Sequence, residues 1–216
     1  MLIAGVDEAG RGPCLGPMVL AIATIEKEKE LELMEIGVRD SKELSPAKRV
    51  EQLPQIKRIV QEFSSVHIPP KELDALMDWK SLNEIEAMKI GGLLNNLKKK
   101  PDVVFIDSPD VIQENFGKRI KKYLTFETKL KTEHKADSNY LVVGAASIIA
   151  KVERDHAIEI LAKKFGKIGS GYTHDPHTRE FLFNYVKQNK HLPSCCRKSW
   201  STSRQMLDAH LQQKLF

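Results

Sequence analysis

Nine residues near the start, Gly5-Val6-Asp7-Glu8-Ala9-Gly10-Arg11-Gly12-Pro13, constrain this chain more than any other stretch. The apolar run Leu2 to Val6 before them reads as a buried strand. It ends on two adjacent carboxylates. Gly10 and Gly12 then free the backbone for a tight turn around Arg11. A second apolar run, Met18 to Ile25, follows at hairpin distance, punctuated by Gly16-Pro17. A buried strand thus delivers Asp7 and Glu8 to its end, and a glycine-arginine-glycine loop presents N–H donors and a cation beside them. Carboxylates that hold metal ions, next to donors that hold phosphate, are what a phosphodiester-cleaving site requires.

The bulk numbers fit a soluble globular protein. With 216 residues, the expected organisation is one domain, alone or with a short C-terminal extension. The composition, 41% hydrophobic and 29% charged, supports a sizeable core. A net charge of +5 leans toward a polyanionic partner. No apolar run reaches transmembrane length and no signal-peptide pattern opens the chain, so a cytoplasmic protein is expected, without a membrane partner. Three cysteines, two of them the neighbours Cys195 and Cys196, argue against disulfides and for a reducing compartment.

Further along, charges cluster from Glu26 to Glu35, read as a solvated strand end or turn. Ser45-Pro46 opens a helix toward Phe63, which Pro54 should break in two. Ser65 to Ile68 reads as a strand and Lys71 to Met77 as a helix. Ser81 and Glu84 form a capping box for a helix reaching Lys98. Asp102 to Ile106 is a compact strand ending in Asp107, followed by a helix over Pro109 to Tyr123 and a strand over Phe126 to Lys131. Tyr140 to Phe165 is a long helix whose first half, Leu141 to Ile149, is almost entirely apolar and should be buried on all sides. Asp175-Pro176 starts a helix to Gln188, and Arg204 to Leu215 is terminal. Strands first, then helices alternating with strands, predict an α/β sandwich with a mixed central sheet and helices on its faces.

Asp7 and Asp107 each end an apolar strand. Should those strands lie parallel and adjacent, both carboxylates meet at one sheet edge, where open α/β sheets place their sites. Alternation starts Glu8 on the opposite face, so the chain has to turn there for Glu8 to join them. Asp137 precedes the long buried helix and also reads as its cap, and Asp107-Ser108-Pro109-Asp110 also reads as a plain turn. Carboxylates gathered in one place repel, and one or two divalent ions are the simplest neutraliser; oxygen-only ligation suits Mg²⁺ or Mn²⁺.

Taken in order, the motifs resemble type 2 ribonuclease H (ribonuclease HII), in its archaeal form. The resemblance rests on Gly5 to Pro13, Asp40-Ser-Lys-Glu-Leu44, Phe105-Ile-Asp107, His134-Lys-Ala-Asp137, the run Val143 to Asp155, and Gly169-Ser-Gly-Tyr172. It implies a ribonuclease H-like mixed sheet flanked by helices, with a C-terminal helical extension: residues 1–165 form the catalytic domain and 166–216 a substrate-binding part packed on it. It implies an endonuclease that cuts the RNA strand of RNA/DNA hybrids and cuts at single ribonucleotides in duplex DNA, leaving 3′-hydroxyl and 5′-phosphate ends. It assigns Asp7, Glu8, Asp107 and Asp137 as the catalytic, metal-binding carboxylates. Two ions bridged by Asp7, about 3.5–4 Å apart, would run the hydrolysis. Gly10, Arg11 and Gly12 would read the ribose, Tyr172 would sense the RNA–DNA junction, and Ser41 and Lys42 would contact substrate.

The remaining motifs take structural readings. His174, Asp175 and His177 mimic a transition-metal cluster, but Asp175-Pro176 explains itself as a helix start. Trp200 reads as a pin for the terminal helix, Arg154 and Asp155 as an ordering pair, and His134 as a surface residue. The C-terminal Gln212-Gln213-Lys214-Leu215-Phe216 resembles a sliding-clamp peptide. A monomer is expected. The competing readings are another metal nuclease on the same fold, such as a junction resolvase, and a non-catalytic hybrid-binding module.

Overall fold

A computed structural model describes residues 1–38 and 44–212, with side chains through residue 208. Ser41 and Lys42 lie outside the described residues, as do the last four residues of the clamp-like peptide. The chain opens with the hairpin β1 (Leu2–Ala9) and β2 (Met18–Glu26), then α1 (Glu30–Glu35), α2 (Pro46–Ile59), β3 (Glu62–Ile68), α3 (Pro70–Met77) and α4 (Leu82–Asn96). It continues through β4 (Val103–Asp107), α5 (Gln113–Lys121), β5 (Lys129–Glu133), α6 (Ala136–Asn139), α7 (Leu141–Phe165), α8 (Pro176–Asn189) and α9 (Ser201–Gln212). The five strands form one mixed sheet in the order β3-β2-β1-β4-β5. β1 is antiparallel to β2 and parallel to β4, which is parallel to β5. This is the expected α/β architecture, with helices against the sheet.

The central place of β1 follows from its sequence. A strand covered on both faces carries a continuous apolar run rather than an alternating one, and Ile3, Ala4 and Val6 are all buried. The edge strand β5 instead exposes Lys129 and Lys131, charges that discourage a further strand from pairing there. The first half of α7 packs on the β1 face that carries Ile3, in one cluster with Val19, Ala21, Ala23 and Phe105. Contact is closest at Gly5. A Cβ there would sit 2.3 Å from the carbonyl carbon and oxygen of Val142 and 2.4 Å from the nitrogen of Val143. The missing side chain therefore sets how deeply α7 seats on the sheet.

The chain gathers into two compact units whose segments interleave. One comprises Met1–Ala9, Val19–Val66 and Ser81–Glu153; the other comprises Gly10–Met18, His67–Lys80 and Arg154–Phe216. The division thus does not follow a single boundary after residue 165: the loop after β1 and the region of α3 group with the C-terminal helices.

Several boundaries differ from expectation for physical reasons. α2 runs unbroken through Pro54. Proline costs a helix its bond to the carbonyl four residues earlier, and here that residue, Val50, is exposed. The acidic stretch after β2 forms a short helix instead of a turn, anchored by fully buried Leu33 and by an ion pair of Lys27 with Glu30. Of the expected capping box, Ser81 Oγ does accept the Glu84 N–H at 3.3 Å. The Glu84 carboxylate, however, accepts from Arg119 at 3.0 Å and Tyr123 at 2.7 Å, tying α4 to α5. Among the described residues, no helix is long and apolar enough to cross a membrane.

Gly5→Ala should cost about 3 kcal/mol, the upper range for overpacking, because backbone rather than a flexible side chain must yield. Chemical denaturation should show the loss, and the Tm should fall by about 10 °C. An unchanged midpoint would mean that α7 does not seat on β1 as described.

Candidate functional site

The parallel pairing of β1 with β4 matches Val6 to Ile106. One residue further along the same register, Asp7 comes beside Asp107. The side chains of Asp7, Glu8 and Asp107 each bring a carboxylate oxygen into one group, all within 4.8 Å of one another. The expected turn at Glu8 is not what brings it there. β1 continues in pairing, Glu8 opposite Leu20 and Ala9 opposite Val19, and the longer glutamate side chain reaches the site from within the strand.

Asp7 is 6% exposed. Its Oδ1 accepts the Glu8 backbone N–H at 2.7 Å, and Ser147 on α7 hydrogen-bonds its carboxylate. Burial, followed by the charges of Glu8 and Asp107, holds its pKa well above the ordinary carboxylate range, although the bonds from Ser147 and the Glu8 N–H pull the other way. Asp107 is fixed from another side: its Oδ1 accepts the Ala136 N–H at 2.8 Å. Lys135, in the left-handed conformation at φ 56°, begins α6 and sets that N–H in place. Asp137 is the next residue, 3% exposed on α6, but it is not one of the three residues whose oxygens gather. His134 does not face this group through its Nδ1, which lies 3.0 Å from the Ser108 carbonyl oxygen.

An all-oxygen group with a buried member suits a hard divalent cation. Ionising Asp7 beside Glu8 and Asp107 is unfavourable, and a dication reverses the sign of that interaction. The residues present therefore fit such an ion.

In the other unit, the loop after β1 is built around glycines and two arginines. Gly10 has φ +76°, where L side chains are strained, and a Cβ there would lie 2.9 Å from the Pro17 carbonyl oxygen. Arg197 is fully buried and donates to backbone carbonyls: Nε to Gly16 at 3.0 Å, Nη1 to Arg11 at 2.9 Å and Nη2 to Gly10 at 2.6 Å. The Trp200 ring lies 4.7 Å from its guanidinium, and the indole N–H donates to the Gly12 carbonyl at 3.2 Å. Trp200, expected to pin the terminal helix, instead binds the loop after β1 through its side chain. Burial and the nearby Arg154 lower the Arg197 pKa to about 10, which leaves it charged at neutral pH.

Arg154 bonds the Ser170 carbonyl, pairs with Asp155 at 3.3 Å and lies 5.2 Å from the Tyr172 ring centre. Tyr172 in turn is near Gly12, where a Cβ would lie 3.8 Å from its ring. The turn carrying Tyr172 is held by Asp175, which accepts from the Ser170 N–H at 2.6 Å and the His177 N–H at 2.9 Å; these bonds lower its pKa to about 2. Asp175 is therefore both helix cap and loop organiser. Cys14, Cys195 and Cys196 are buried free thiols in one apolar cluster with Leu15 and Leu182, their pKa values pushed up to about 11, 12 and 12.

Two residues escaped sequence reasoning. Ser147 had a signal, as a lone hydroxyl inside the apolar run Leu141 to Ile149. Arg197, between Cys196 and Lys198, had none, since nothing local marks a cation for burial.

In sequence and in fold the chain is similar to known proteins. The Ribonuclease HII family profile matches residues 4–203. The chain is similar to ribonuclease HII of Thermococcus sibiricus, 42% identical over 214 residues, covering 99% of this chain and 95% of that one. Its fold is similar to the crystal structure of ribonuclease H2 from Pyrococcus horikoshii OT3, with TM-score 0.93 and 42% identity, covering 98% of this chain and 100% of that one. It is also similar to the structure of the PCNA:RNase HII complex from Archaeoglobus fulgidus, with TM-score 0.84 and 40% identity over 93% and 96% of the two chains. Agreement in sequence and fold over nearly the whole length means that this chain belongs to the ribonuclease HII family and is a nuclease of the ribonuclease H type.

Proposed function

We propose that this ribonuclease H hydrolyses the RNA strand of RNA/DNA hybrids and also cuts 5′ of single ribonucleotides embedded in duplex DNA, leaving 3′-hydroxyl and 5′-phosphate ends. The observation that carries the reading is the meeting of Asp7, Glu8 and Asp107 oxygens on adjacent parallel strands. In this reading Asp7, Glu8, Asp107 and Asp137 hold two divalent ions, Mg²⁺ or Mn²⁺. Bound there, such ions supply an activated water and charge stabilisation for the leaving oxygen. The chain's own residues do the positioning. Ser147 and the Glu8 N–H orient the Asp7 carboxylate, and the Ala136 N–H orients that of Asp107. Asp137 joins as the fourth ligand from the residue after that N–H.

The choice of where to cut belongs to the other unit. The 2′-hydroxyl is the group that separates RNA from DNA at a given nucleotide. A backbone-rich loop such as Gly10-Arg11-Gly12 engages it without base preference. Tyr172, beside that loop, stacks on the following sugar and disfavours a ribose there, which favours RNA–DNA junctions. Arg154 and Arg197, both buried, make the surroundings positive for phosphate. Ser41 and Lys42 remain proposed substrate contacts from the sequence resemblance. The segment from Gln212 to Phe216 is proposed to bind a sliding clamp; the solved complex of the Archaeoglobus relative with PCNA supports this reading.

Asp7→Asn should reduce turnover in Mg²⁺ by about a thousandfold or more, equivalent to about 4 kcal/mol of transition-state stabilisation, while RNA/DNA hybrid binding persists. Near-normal turnover would remove Asp7 from the site. The raised pKa of Asp7 has a sign. In chelator the folded protein keeps a proton that the unfolded chain gives up, so stability falls as pH rises above about 4 toward and through the folded value. Melting curves in chelator should show that decline, and Asp7→Asn should flatten it.

Tyr172→Ala should slow cutting at single embedded ribonucleotides about tenfold more than cutting of long RNA tracts, the scale of one stacking contact. Equal losses on both substrates would contradict the junction role. For the clamp, a pull-down with the full chain and with one lacking the last five residues should differ, and equal capture would dismiss the peptide.

A further inference from the structure

One short segment takes up the carbonyls of the loop that follows β1. Arg197 bonds those of Gly10, Arg11 and Gly16, and Trp200 bonds that of Gly12. The Arg197 N–H donates to the Cys14 carbonyl at 2.8 Å. The segment is itself clamped. Asp74 on α3 accepts from the Lys198 N–H at 2.9 Å, the Ser199 N–H at 2.9 Å and the Ser199 hydroxyl at 2.7 Å. A guanidinium suits this task better than an ammonium, because its fixed fork of donors reaches several carbonyls at once.

The consequence follows from peptide geometry. All described peptide bonds are trans, and in a trans peptide the C=O and the next N–H point in opposite directions. With the Gly10 and Arg11 carbonyls turned onto Arg197, the N–H groups of Arg11 and Gly12 are turned away from it. With the Gly12 carbonyl turned onto Trp200, the next residue is Pro13, which has no N–H to turn. The Arg11 and Gly12 N–H groups thus lie on the side of their peptides away from Arg197.

We propose that Arg197 and Trp200, braced by Asp74, are positioning residues for ribose discrimination: they hold the Gly10-Arg11-Gly12 carbonyls inward so that the Arg11 and Gly12 N–H donors meet the 2′-hydroxyl and its phosphate. This rests on the reading of that loop given under Proposed function. The residues do not touch substrate; they remove the loop's freedom to turn its peptides over. Loosening them should therefore erase the preference for a ribonucleotide more than it erases binding to DNA as such.

The test uses the full chain in an Asp7→Asn background, so that binding is read without cleavage. Affinity is measured for a duplex with one ribonucleotide and for the same duplex in all-DNA form. Trp200→Phe keeps a ring on Arg197 and removes only the donor to Gly12. It should lower the ribonucleotide preference about fivefold, one hydrogen bond's worth, with all-DNA affinity unchanged. Arg197→Lys should lower it further. Should that variant not fold, Asp74→Asn takes its place, with a smaller loss expected. Gly12→Pro, which removes one of the two N–H donors, serves as the control for the loop itself. If Gly12→Pro lowers the preference and the Trp200 and Arg197 or Asp74 variants leave it intact, the positioning role is overturned and the loop reading stands. If none lowers it, both fall. A Trp200→Phe protein that loses affinity for the two duplexes equally also overturns the proposal.

Discussion

A carboxylate on a strand covered on both faces, with two more carboxylates at its side, is the constraint on which the rest of the first unit depends. Asp7 gives up hydration and gains repulsion. Two hydrogen bonds offset part of that cost and a dication can offset the rest. The backbone arrangement serves this: a parallel β1–β4 pair aligns Asp7 with Asp107, Gly5 lets α7 come close, and α7 brings Ser147 to the carboxylate. Stability is thus surrendered locally at a place where charge is needed, a common pattern at functional sites.

The second unit answers the opposite problem. Arg197 is fully buried and held by the carbonyl oxygens of Gly10, Arg11 and Gly16, while the buried Arg154 bonds the Ser170 carbonyl and pairs with Asp155. Carbonyl dipoles solvate a cation without cancelling its charge, so the loop they support stays positive. A carboxylate in place of the carbonyls around Arg197 would hold it equally well and cancel its charge.

Much of this was legible in the sequence because it is written locally. The apolar run before Asp7, the glycines around Arg11, the apolar half of α7 and the Asp175-Pro176 start are each readable from a few neighbours, and each element appears. What local reading missed depended on partners far along the chain. Pro54 should break a helix by its own chemistry, but exposure of Val50 relieves the penalty. Glu84 looked like half of a capping box until Arg119 and Tyr123, more than thirty residues away, claimed its carboxylate. Arg197 is the extreme case, since its partners lie 181 to 187 residues earlier. The meeting of Asp7 with Asp107 was readable only on the condition that their strands lie parallel and adjacent, a register that no single stretch encodes.

The three thiols packed behind the loop have a chemical corollary. The thiolate is the form that attacks oxidants and alkylating agents. Burial pushes the Cys14 thiol up to about 11 and those of Cys195 and Cys196 up to about 12, so all three stay protonated at neutral pH. The apolar cluster that backs the arginine-bound loop is therefore nearly inert toward peroxide and disulfide exchange, and a sudden oxidative load should leave the support of this loop untouched while more acidic thiols elsewhere in a cell react first.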